Sequence, residues 1–144
     1  MALRTDRQWL KLNARVIEEF RANGGQCGGP FEGNPMVLLT TTGARSGQLR
    51  VSPVTYTMDG DRWILIASKA GADAHPAWYY NLVANRAVIL EVGTERFAAI
   101  ARAAEEPERS RLYAERVEAM PRFGGYATET SREIPVVIIS RLPG

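Results

Sequence analysis

The sequence predicts an α+β, mainly β fold: an antiparallel barrel or curled sheet with helices packed outside it. Three observations carry this. Apolar, β-branched runs of strand length recur between residues 36 and 102, and once more near the C-terminus. Several neighbouring runs are joined by links too short for the crossover that parallel strands need, so they pair antiparallel. Helical periodicity does not follow nearly every strand, as a doubly wound parallel sheet would require. The 144 residues are enough for one domain with its own core, and residues 1–144 read as a single unit. Within it, residues 1–35 are an N-terminal helix and a connecting segment.

Thr5 to Gln8 fits a capping box, and Trp9, Leu12, Val16 and Phe20 then recur at helical spacing until Gly24-Gly25 ends the pattern. Residues 21–35 are rich in Gly, Asn and Pro and connect this helix to the strands. Residues 36–42 ("MVLLTTT") and 49–58 ("LRVSPVTYTM") read as strands, and Pro53 predicts an edge or a bulge in the second. "DGD" at 59–61 is a hairpin turn, and "RWILIA" at 62–67 suits a strand buried on both faces. A loop then runs into a short helix. Pro76 fits its first turn, Trp78 and Leu82 share one face, and Asn85 caps it. Strands at 87–92 and 95–102 meet at Gly93-Thr94. Pro107 opens a further helix with Tyr113, Val117 and Met120 on one face. Residues 121–133 form a polar, glycine-containing link to the last strand, "IPVVIIS" at 134–140. There is no internal repeat and no low-complexity segment.

Composition excludes several classes of function. Apolar content of 45% and charged content of 24% are ordinary for a soluble globular protein, and a net charge of +2 gives no general case for nucleic acid. A single cysteine, Cys27, allows no internal disulfide and fits a reducing compartment, so the expected location is the cytoplasm. The N-terminal residues contain no apolar core ahead of a cleavage site, and no apolar run approaches a membrane span. One histidine and one cysteine argue against a Cys/His zinc site, and no metal is expected.

A Ser-His-Asp triad would have to use His75, and no Gly-x-Ser-x-Gly elbow accompanies it. A Cys-His pair would have to use Cys27, in a glycine-rich link without a local signature. The link "GARSG" at 43–47 is neither a P-loop nor a dinucleotide fingerprint, because a strand follows it. With no strong protein-borne nucleophile, any catalysis would rest on a bound cofactor. Against that background the basic residues matter: Arg45 in the link, Arg50 just after it, and Lys69 after the "RWILIA" strand. Gly43 and Gly47 let backbone N–H groups converge on one anion, and an arginine beside such a nest adds a two-pronged donor. Taken alone, Arg45 reads as a solvated turn residue. Trp78 and Tyr79 alone read as core.

The combination of "LLTTTGARSGQLRVSP", "DGDRWILIASKAGADAHPAWYYNLVAN" and "REIPVVII", in that order from about Val37 to Ile139, resembles the deazaflavin-dependent nitroreductase and quinone reductase family. The resemblance implies a split β-barrel like that of small flavin-binding oxidoreductases. It also implies reduced coenzyme F420 as hydride donor and a quinone or nitro compound as acceptor. By the same resemblance, Arg45, Ser46 and Gly47 hold the cofactor phosphate or its glutamyl tail, with Gly43, Arg50 and Lys69 beside them. Ala70, Gly71 and Ala72 let the backbone approach the ring, and Pro76, Trp78 and Tyr79 wall it. The family more often has "GRKSG" and "SKGG", so Ala44 removes a cation and Ala70 a permissive glycine.

Hydride donation leaves charge on the acceptor oxygen, and Ser68 and Tyr126 are the candidate hydroxyl donors to it. Phe123 would shape the acceptor pocket, and His75 is expected to cap structure rather than donate a proton. Two other readings stand beside this one: an FMN-binding reductase of the same fold, and a non-catalytic carrier of a cofactor or small ligand. The basic, apolar-striped first helix would pack on its own domain or make a homodimer contact; lying on the inner face of the membrane is the other option.

Overall fold

A computed structural model describes residues 6–27, 35–67, 75–120 and 133–143. The elements are α1 (Asp6–Ala22), β1 (Met36–Thr42), β2 (Leu49–Asp59), β3 (Arg62–Ile66), α2 (Ala77–Ala84), β4 (Ala87–Val92), β5 (Glu95–Ala103), α3 (Glu108–Ala119) and β6 (Val136–Arg141). All six strands pair antiparallel into one closed barrel in the order β1-β2-β3-β6-β5-β4. The expected mainly β barrel with helices outside is therefore the fold. Its hairpins are sequential, but β6 inserts between β3 and β5 and closes the sheet.

The two-sided burial of the apolar runs has a simple cause. Successive side chains of a strand point to opposite faces. In β1, Val37 and Leu39 fill the barrel, while Met36 and Leu38 lie under α1 with Leu12, Val16, Phe20 and Cys27. In β6, Val137 and Ile139 point inward and Val136 and Ile138 lie under α3 with Ile64, Ile66 and Leu112. The interior is completed by Leu65, Val88, Leu90, Ala99 and Ala101, and by Trp78 and Leu82 of α2. The apolar stripe of α1 is thus spent on its own barrel; the side chain of Trp9 and the capping residue Thr5 lie outside what the structure describes. No described helix is long and apolar enough to cross a membrane.

Three expectations are refined. Pro53 sits opposite Leu38 in an unbroken β1–β2 register, without a bulge. Pairing of β2 with β3 begins only at Tyr56, so Pro53 has a partner strand on one side, which a residue lacking an N–H tolerates. The last strand starts at Val136 rather than 134, because Pro135 and Ile134 lead into it. The face of α3 is centred on Leu112 and a fully buried Arg116, with Tyr113, Val117 and Met120 partly buried around them. Arg116 donates through Nε to Thr57 Oγ1 at 3.2 Å and through its guanidinium to the Ile64 carbonyl.

Candidate functional site

The antiparallel register gathers one end of every strand at one end of the barrel. Thr42 faces Leu49, Ile66 faces Val136, Ala103 faces Val137 and Ala87 faces Ile100. This end carries the β1–β2 link at 43–48. The chain also leaves β3 and enters β6 here, tied by the Ala67 N–H donating to the Pro135 carbonyl at 3.0 Å.

The link is a closed unit. Gly43 N–H donates to the Gln48 carbonyl at 2.8 Å, Gly47 N–H to the Gly43 carbonyl at 3.0 Å, and Gln48 N–H to Ser46 Oγ at 3.1 Å. Gly47 has φ +70°, in the left-handed region that glycine occupies freely. A Cβ on Gly43 would lie 2.5 Å from Ser46 Oγ and 3.2 Å from the Gln48 carbonyl, so a larger residue there would have to displace the Ser46 side chain. The N–H groups of Gly43 and Gly47 themselves close the turn. What the link turns outward is side chains. Arg45, Ser46 and Arg50 are exposed, and Arg45 and Arg50 form no hydrogen bond or ion pair among the described residues.

Helix α2 stands beside this link. Pro76 is its N-cap, with φ −66° and ψ 152°, just outside the first turn. Trp78 is 9% exposed and its ring belongs to the barrel core, so it presents little surface to a ligand. Tyr79 is half-buried against the same core. The His75 ring meets Tyr79 edge-on at 4.9 Å between centroids and lies 5.5 Å from Tyr80, which is half exposed. Sequence reasoning passed over Asn81. Its Oδ1 accepts from the Ala44 N–H at 3.0 Å and its Nδ2 donates to Thr41 Oγ1 at 3.2 Å. A weak helix former set between two core residues, Trp78 and Leu82, was the available signal.

Ser68, Lys69, Ala70 and Gly71, as well as Ala72, Phe123 and Tyr126, lie outside the described residues. Among those described, no cluster of three or more His, Cys, Asp or Glu could hold a metal. Cys27 is buried under α1, and burial, then Glu19, pushes its thiol pKa up, which disfavours the reactive thiolate. The arrangement offers an exposed cationic link beside a half-buried aromatic helix end. That donor set suits a ligand with an anionic group and a flat ring, not covalent catalysis by a side chain.

The chain matches the family model described as F420H(2)-dependent quinone reductase over residues 12–141. It is 39% identical to an F420H(2)-dependent quinone reductase of Mycobacterium tuberculosis over 138 residues, covering 93% of this chain and 91% of the relative. Among solved structures, an F420-H2 dependent reductase termed FDR-A is 39% identical with a TM-score of 0.67, over 74% of this chain and 94% of that one. A structure titled a domain-swapped dimer is 33% identical with a TM-score of 0.69, over 94% and 100% of the two chains. The heme storage protein HutZ of Vibrio cholerae, at 17% identity and a TM-score of 0.59 over 89% of each chain, shares the fold alone.

Proposed function

The chain belongs to the F420H(2)-dependent quinone reductase family and is an oxidoreductase that uses reduced coenzyme F420, and we propose that it binds this cofactor across the barrel end bearing the β1–β2 link. The observation that carries this placement is the pair of exposed guanidinium groups of Arg45 and Arg50, without partners among the described residues, on a link closed by its own hydrogen bonds. When bound, the reduced deazaflavin supplies a hydride. The acceptor is a quinone.

The chain's residues hold and orient. Arg45 grips an acidic group of the cofactor with two N–H donors, and Ser46 and Arg50 stand beside it. Lys69 adds a further charge, and Ala70 and Gly71 let the backbone come close to the ring. Tyr79, half-buried, walls the ring, and Pro76, buried at the N-cap of α2, backs that wall. Trp78, anchored in the core, holds that wall in place rather than touching the ring broadly. Ser68 and Tyr126 donate to the quinone oxygen as charge develops on it. Both alternatives, FMN and a carrier role, yield to the family. The membrane option for α1 has little left to act with, since Leu12, Val16 and Phe20 are already buried.

The test is a fluorescence titration of coenzyme F420 into the Arg45→Ala protein. Loss of one charge-assisted contact, worth roughly 1.5–3 kcal/mol, raises Kd about ten- to a hundredfold. The melting temperature stays put, because Arg45 is exposed and has no partner among the described residues. Parental affinity in the variant would remove the link from the site while leaving the family assignment intact.

A further inference from the structure

We infer that Asn81 is a positioning residue that fixes the cofactor-binding link relative to helix α2. The inference rests on the placement of the cofactor at the β1–β2 link. A side-chain amide at 9% exposure is costly unless its groups are satisfied. In Asn81 both ends are used, and they reach two different parts of the chain. Oδ1 takes the Ala44 N–H in the link, and Nδ2 gives to Thr41 near the end of β1.

The link's other hydrogen bonds are internal: Gly43 to Gln48, Gly47 to Gly43, Gln48 to Ser46. They set its shape but not its attitude toward the barrel end. Among the described residues, the Ala44 bond is what joins the link to an element other than its own two strands. Ala44 immediately precedes Arg45, so the angle at which Arg45 projects depends on that bond. On the helix side, Asn81 is two residues after Tyr79 and shares α2 with the anchored Trp78 and Leu82. One amide therefore sets the spacing between the part of the site that grips an anion and the part that walls a ring.

Asn81→Ala should release the link without removing any ligand contact. Expected results are an F420 Kd raised about tenfold, equivalent to one lost hydrogen bond of positioning. The KM for reduced F420 should rise in parallel, while kcat at saturating cofactor stays within about threefold. Hydrogen exchange of the Ala44 amide in the free protein should accelerate, while that of Gly43 should not. Asn81→Leu gives a second reading if the alanine variant folds poorly: it keeps the volume and burial while removing both hydrogen bonds, so the F420 Kd should rise and Ala44 exchange accelerate as for alanine.

Arg45→Ala, assayed in parallel, separates two failures. Should Arg45→Ala weaken binding while Asn81→Ala, or Asn81→Leu in its place, binds as the parent, the positioning role is overturned and the site stands. Should Arg45→Ala also bind as the parent, the site placement itself falls.

Discussion

Cys27 shows how burial settles a residue's chemistry. It is 8% exposed, wedged among Leu12, Val16, Phe20, Met36 and Leu38, and burial raises its thiol pKa. Such a thiol is neither a ready nucleophile nor easily oxidised. Cys27→Ala should keep F420-dependent quinone reduction within about twofold of the parent, at the cost of a small core void. The native parent should resist a thiol reagent that labels it at once in denaturant. A folded but inactive Cys27→Ala protein that still binds cofactor would reinstate thiol chemistry. At this scale the sequence was informative where chemistry is local. The link's arginine and permissive glycines are visible in five letters, because a turn is made by adjacent residues. Asn81 and Arg116 were not, because a polar residue in a helical pattern reads as the solvent face. Their burial is met by long-range partners, among them Thr41 and Ala44 for one, Thr57 and the Ile64 carbonyl for the other.

At the scale of elements, α1 is fastened in two ways. Val16 and Phe20 are each 1% exposed against the outer face of β1, and Arg21 forms a two-pronged pair with Glu91 of β4 at 3.2 and 2.9 Å. The helix ends in Gly24 and Gly25, both with positive φ, and a Cβ on Gly25 would stand 2.9 Å from Gly93 Cα in the β4–β5 turn. Its stripe was legible from a period of 3.6, but what it covers was not, since Met36 and Leu38 are distant in sequence and belong to a run that looks uniformly apolar. Phe20→Ala should cost about 3–5 kcal/mol by analogy with other buried aromatic truncations. That is a large share of the 5–15 kcal/mol that typically holds a domain together. Urea unfolding measures it. A loss below about 1 kcal/mol would mean that α1 is loosely held and its stripe free for another surface.

The whole molecule depends on pairings no local pattern encodes. Each hairpin could be read from its turn, but closure comes from β6 entering between β3 and β5 and from β1 meeting β4. A charge network ties the β2–β3 turn to α3 and β5. Asp59 at the β2–β3 turn pairs with Arg62 and, at 3.3 Å, with Arg111 of α3. Glu108 of α3 pairs with Arg62 at 3.4 Å and with Arg102 of β5 at 3.1 Å. Hydrogen bonds from Arg62, then Arg111, hold the Asp59 carboxyl below its ordinary value of 3.8, and Arg102 does the same for Glu108.

The sign of the pH effect follows from this. A carboxylate whose pKa is lower in the folded state than in the unfolded chain contributes stability that is fully present above the unfolded value. That contribution is lost as pH falls through the folded one. The network therefore acts at neutral pH and fades below about pH 4. Asp59→Asn should lower stability by roughly 0.5–1 kcal/mol at pH 7, the upper range for partly exposed pairs. The difference from the parent should shrink as pH approaches 3, where the parent's own carboxylate is being neutralised. It should shrink as well in 1 M salt, where the screening length is about 3 Å. The measurement is the urea midpoint of both proteins between pH 3 and 7, at low and high salt. A gap that stays constant across that range would assign Asp59 a packing role at the turn instead of an electrostatic one. In that case α3 would be held to the sheet by the apolar contacts of Ile64, Leu112 and Ile138 and by the hydrogen bonds of Arg116.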